Sequence, residues 1–192
     1  MFKPNINRCV VDIETLGVNS HAPVLSIGAA ILQSQTSDIV TFEFGINLNE
    51  YETSADVFVA DQSTLDWWEE KEGSKAYEVA FSGKLSIVEA CSALRETYIR
   101  YKCREVWANH PHFDITVLDS LFKHCKIETP WKYYEAFDVA TLGKPFLSEA
   151  MKKQFKSGLT LHVVSHDALY EAKCLQYLLP RLQLSDPVDI LY

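Results

Sequence analysis

Long apolar runs are missing from this 192-residue sequence. Nothing in it approaches the ~20 consecutive apolar residues that a membrane-spanning helix requires, so no membrane partner is expected. Paired cysteine motifs are missing too. Cys9, Cys91, Cys103, Cys125 and Cys174 are odd in number, scattered and never spaced C-x-x-C, which excludes a disulfide framework and a zinc site and predicts reduced thiols, several in the core. Positive charge is scarce: 18 Lys and Arg face 26 Asp and Glu, for a formal net charge of −8. That balance argues against broad capture of long duplexes, because such affinity comes from Lys and Arg neutralising phosphates. Nucleic acid as a partner stays open, since a carboxylate-rich site attracts phosphates once it holds a divalent cation. Repeats and low-complexity linkers are absent, so residues 1–192 are expected to form one domain. The first strand follows Met1 to Asn7 too closely for a secretory leader, and the expectation is a cytosolic protein.

What is present is an ordinary globular balance, 47% hydrophobic and 23% charged, organised around Val10-Val11-Asp12-Ile13-Glu14-Thr15-Leu16. Its apolar and β-branched residues read as a buried strand, and the period of two puts Asp12 and Glu14 on one face. Two like charges there call for a divalent cation with oxygen ligands, or else mark a solvated strand end or the caps of the next turn.

Val24 to Leu32 reads as a second strand and Ile39 to Leu48 as a third, half-buried one, so an antiparallel meander is expected. Residues 49–63 lack a period and read as a surface excursion. Ser63 to Gly73 reads as a short capped helix ended by glycine, with Trp67 and Trp68 in packing roles. Ser86 to Tyr101 has helical spacing, Val106 to Ala108 is a short strand, and Phe113 to Cys125 is a helix. Loop and a short helix are expected over 126–143, flexible polar chain over 151–159, and a long helix from Ser165 to Leu182. A meander followed by strand and helix predicts an α/β or α+β domain with a mixed sheet.

Three separated segments carry acids or histidine: Asp12 and Glu14, then Phe113-Asp114 at a helix start, then His166 with Glu171 five residues on. Their order and spacing resemble the DEDDh branch of the DnaQ-like 3′–5′ exonuclease superfamily. Asp12-Ile13-Glu14-Thr15-Leu16-Gly17 matches D-x-E-[TS]-x-G, Phe113-Asp114 matches a motif ending in F-D, and His166 with Glu171 meets H-x-x-x-x-D with Glu in place of Asp. Thr64-Leu65-Asp66-Trp67-Trp68, Trp107-Ala108-Asn109, Pro130-Trp131 and Phe137-Asp138-Val139-Ala140-Thr141-Leu142 look like the subgroup of phage exodeoxyribonuclease A and small bacterial 3′–5′ exoribonucleases.

The resemblance implies a ribonuclease H-like α/β fold: a mixed central sheet, antiparallel meander plus parallel strands, flanked by helices. It implies two Mg²⁺ or Mn²⁺ ions held by Asp12, Glu14, Asp114 and Glu171, with Asp167 as the alternative last acid and His166 as general base. It also implies that Thr15, Leu16 and Gly17 meet the 3′-terminal nucleotide, Leu16 as a wedge, while Asn109 and Phe113 line the cleft. The partner is then the 3′ end of single-stranded or overhanging DNA or RNA, cut to nucleoside 5′-monophosphates. Related small enzymes pair, and the tryptophans offer a surface for a homodimer. His110, His112 and His162, outside the motif, are expected at surface or packing positions. Two rival readings are an inactive ribonuclease H-like binding or interaction module, left open by Glu171, and a phosphohydrolase acting on small nucleotides.

Overall fold

The computed structural model describes residues 6–183 apart from residue 55. Residues 1–5, which bear on a leader, and 184–192 lie outside the described residues. Five strands, β1 (Asn7–Thr15), β2 (Val24–Leu32), β3 (Ile39–Gly45), β4 (Cys103–Ala108) and β5 (Ala136–Asp138), form one sheet in the order β3-β2-β1-β4-β5. β1–β2 and β2–β3 are antiparallel, and β1–β4 and β4–β5 are parallel. This is the expected mixed α/β sheet, compatible with a ribonuclease H-like exonuclease.

Among the described residues seven α-helices flank it: α1 (Gln62–Glu69), α2 (Lys75–Ala80), α3 (Ile87–Arg100), α4 (Pro111–His124), α5 (Val139–Phe146), α6 (Glu149–Phe155) and α7 (Val164–Gln183). Alternation along β1 assigns its two faces. Cys9, Val11 and Ile13 pack with α3 and α4 residues such as Leu94, Leu118 and Leu121. Val10 packs on the other face with Ala168, Ala172 and Leu175 of α7. Asp12 and Glu14 share Val10's parity and so face the start of α7. Pairing between β1 and β4 ends at Val10 and Trp107. Beyond it β1 runs on alone on that side, which opens a crevice at the carboxyl ends of two parallel strands, where open α/β sheets bind ligands.

Several expectations change. The excursion over residues 49–63 is anchored: a 3-10 turn (Leu48–Ser54) carries Tyr51, whose hydroxyl donates to the Val24 carbonyl at 2.9 Å, and Phe58 is buried against it. The helix expected to start at Ser63 starts at Gln62, after Asp61. Gly73, at φ 77, serves a turn that leads directly into α2, an element too short to show a period. β5 and α6 occupy stretches read as loop or flexible chain, and polar α6 buries no residue. Trp68, Trp107 and Trp131 are buried and Trp67 is half-buried. Ser86 with Glu89 forms a reciprocal capping box that starts α3 as read. All five cysteines are free thiols. Among the described residues no helix is long and apolar enough to cross a membrane.

Candidate active site

Three elements deliver acids to the crevice. Asp12 and Glu14 come from the end of β1, half-buried. Asp114 lies in the first turn of α4, buried, and its Oδ1 accepts from the Ile13 N–H at 3.2 Å, which ties helix to strand. The turn into α4 is made by His110 at φ 67, whose N–H donates to Asp138 Oδ1 at 3.1 Å. Asp138 also caps α5 by accepting from the Ala140 N–H. Asp138 thus braces the turn into α4, and it also acts electrostatically on Glu171. Glu171 on α7 is buried, with Oε2 accepting from the Asn109 N–H at 3.1 Å.

Gly28 lets α7 come this close. It pairs with Asp12 in the sheet, and a Cβ there would stand 2.2 Å from the Val164 carbonyl oxygen at the start of α7. No motif search finds such a residue, because its role is an empty volume across two elements distant in sequence.

Crowding and burial shift these acids together. Asp12 is raised well above the usual carboxylate range by burial, then by Glu171, Asp114, Glu14 and Asp167. Burial, then Asp114 and Asp167, raise Glu171 likewise. Burial pushes Asp114 up to about 7. Glu14 is raised by burial against the opposing pull of His162, and Asp167 by burial. No lysine or arginine forms a salt bridge with any of them among the described residues. Buried carboxylates without a side-chain cation are the donor set that hard divalent cations take, so the residues fit Mg²⁺ or Mn²⁺.

Two histidines flank the cluster. His162 Nδ1 stands 3.6 Å from Glu14 Oε1, and the Glu14 carboxylate raises its pKa. The His162 backbone N–H donates to Asp167 Oδ2, and ligand atoms of Glu14, His162 and Asp167 all lie within 4.8 Å of one another. His166, in the first turn of α7, accepts the Thr160 N–H on Nδ1 at 2.9 Å and also faces Asp167 electrostatically. His162 is exposed and packs against Trp67, as expected of a surface or packing position, and it also stands against Glu14. The signal was in the sequence: His162 and Asp167 form a second H-x-x-x-x-D, one helical turn before His166 and Glu171.

A cavity of about 350 Å³ beside Glu14 is lined by Thr15, Gly17, Trp67, Phe113 and His162. Trp67 meets the His162 ring edge-on at 4.9 Å, while Trp68 is buried and donates Nε1–H to the Thr15 carbonyl at 2.9 Å. The Thr15 hydroxyl is spent on the Gly17 carbonyl. Leu16 does not line this cavity: it packs partly buried against the Leu25 and Trp68 cluster, its N–H on Pro23 and its carbonyl on Asp61. Asn109 lines a separate cavity on the Glu171 side.

The family model of the Rv2179c-like 3′–5′ exoribonuclease domain matches residues 7–179, a span that contains every acid and histidine above. The chain belongs to this family. No curated protein matches it. Rv2179c-like domains are 3′–5′ exoribonuclease domains, in agreement with the DnaQ-like resemblance of the three motifs, and the crevice is the candidate site for a nuclease of this family. Within it the structure brings Asp12, Glu14, Asp114 and Glu171 into one electrostatic group, Asp167 included.

Proposed function

We propose that the chain is a metal-dependent 3′–5′ exoribonuclease that releases nucleoside 5′-monophosphates from single-stranded or overhanging 3′ ends, akin to the phage exodeoxyribonuclease A and small exoribonuclease subgroup. One observation carries this reading: in a chain of this family, acids from β1, α4 and α7 converge without a lysine or arginine partner. Asp12, Glu14, Asp114 and Glu171 would hold two Mg²⁺ or Mn²⁺ ions, which stabilise charge on the attacking and leaving oxygens of an in-line displacement. Phe113, Trp67 and the Thr15 to Gly17 turn receive the terminal nucleoside, and Asn109 holds Glu171 in place through its N–H.

His166 takes the proton of the attacking water, as its spacing from Glu171 suggests. With Nδ1 accepting from Thr160, a neutral ring carries its proton on Nε2, so His166 must release that bond before Nε2 can act as a base. A second reading is favoured by the contact of His162 with Glu14. A carboxylate on Nδ1 leaves Nε2 unprotonated, which suits a base without any rearrangement. Alanine at each position separates them: the base variant loses kcat and the acidic-limb pKa of the pH profile, where a base must shed its proton to act, and the other keeps that limb.

Matched RNA and DNA oligonucleotides, labelled at the 5′ end, test the activity. A ladder shortened from the 3′ end of RNA in Mn²⁺, silent in EDTA and abolished in Asp12→Asn with the fold intact, is expected. Chelator-indifferent cleavage or an active Asp12→Asn overturns the two-ion mechanism. RNA binding without cleavage in Mn²⁺ points to the interaction module instead.

A further inference from the structure

The crevice has a second side that the site residues do not explain. α5, α6 and α7 enclose a cavity of about 530 Å³ that reaches Asn109, Tyr170 and the buried Glu171. Its wall carries Lys144, Lys152 and Lys156, three cations gathered on one surface of a chain with net charge −8. Lys152 is engaged by Glu149 at 2.7 Å. Lys144 and Lys156 are exposed and form no salt bridge among the described residues, and Lys156 lies 4.7 Å from the Tyr170 ring centre. Lys156 also acts electrostatically on Asp167, which places its charge near the acid cluster.

The cavity beside Glu14 has no lysine or arginine in its lining and shares no residue with this one. The two cavities touch the acid cluster from Glu14 and from Glu171 respectively. This asymmetry matches the chemistry of a strand end. On the 3′ side of the bond to be cut lies one nucleoside and no further phosphate, whereas on the 5′ side every nucleotide adds one negative charge. An aromatic cavity with no lysine or arginine in its lining, Lys71 lying over the Trp67 ring at 5.2 Å, suits the first, and a lysine-walled cavity suits the second.

We propose that the α5–α7 cavity is the track for the strand 5′ of the scissile bond, with Lys144 and Lys156 holding RNA backbone phosphates. The assignment rests on the exonuclease reading and adds the direction of the strand and the residues that set preference for length. A dinucleotide has no phosphate 5′ of the scissile one, so it reports on the acid site with little help from the track.

The test compares wild type with Lys144→Gln/Lys156→Gln on a dinucleotide and a longer RNA, by steady-state kinetics and by anisotropy of the labelled RNA without divalent metal. The variant is expected to lose the preference of kcat/KM for the longer RNA about tenfold, through KM, and to flatten the plot of log Kd against log salt by about 0.7 per lysine. Lys144→Arg/Lys156→Arg is expected to restore both. Equal effects on dinucleotide and longer RNA, or an unchanged salt slope, overturn the track. Lysine- and salt-dependent binding without hydrolysis by wild type keeps the lysine cavity as an RNA-binding surface but overturns the exonuclease reading and, with it, the strand direction. Hydrolysis with binding indifferent to both lysines keeps the exonuclease reading and overturns the track.

Discussion

Glu171 departs from the family's usual aspartate by one methylene, yet it is buried beside Asp12 and Asp114 and its carboxylate is aimed by the Asn109 N–H. Glu171 sits on α7, a full turn beyond Asp167. Asp167 is less buried and is committed through Oδ2 to the His162 N–H. Glu171→Gln is therefore expected to lower kcat by at least ~10²-fold, and Asp167→Asn by less. Steady-state rates in saturating Mn²⁺ check the ranking, and the reverse order would assign the last acid to Asp167 in the register of His162.

At the level of elements, the site depends on how closely α7 lies over β2. The Val164 carbonyl occupies the space a Gly28 side chain would need, and Ser165 fixes the same turn by donating its hydroxyl to Glu43 Oε2 at 2.7 Å. Gly28→Ala must push the start of α7 away from the sheet, because a backbone carbonyl cannot yield as a flexible side chain does. Overpacking of this kind costs ~1–3 kcal/mol. Displacement of His166, Asp167 and Glu171 from β1 is expected to cut kcat by about 10²-fold. Thermal unfolding and kinetics of the variant separate the two effects: a loss of activity no greater than the fraction unfolded would show that α7 adjusts without moving the site.

For the whole molecule, the acid cluster opposes folding at neutral pH unless a cation fills it. Burial lifts the Asp114 carboxyl to about 7, so the folded protein holds that proton more tightly than the unfolded chain does. Its contribution to stability is complete below the unfolded value near ~4 and is lost as pH rises through about 7. Asp12, Glu14, Asp167 and Glu171 shift in the same direction, and so does His162, raised by Glu14. In EDTA the melting temperature is expected to fall by several degrees between pH ~5 and ~8, and saturating Mg²⁺ or Mn²⁺ to remove the fall. Scanning calorimetry at both pH values, with and without metal, checks this. A flat profile in EDTA would mean that the cluster carries no strain for a cation to relieve.

Local pattern alone determined much of this protein. The alternation of Val10, Asp12 and Glu14 defined the faces of β1, the consecutive strands defined the meander, and the helical spacing from Ser86 to Tyr101 announced α3, because periodicity acts within a few residues. Motif spacing also named Asp12, Glu14, Asp114 and Glu171, since a strand end and two helix starts can be read from short stretches. Tertiary structure alone decided what depends on contacts between distant segments. The three-residue β5 exists through its pairing with β4, and polar α6 through its place beside α7. The seat of α7 on Gly28, the approach of His162 to Glu14 and the gathering of three lysines beside Glu171 are likewise long-range. The two overlapping H-x-x-x-x-acid registers are equivalent as spacings, and only the folded chain sets His162 against Glu14 while it buries Glu171 beside Asp12.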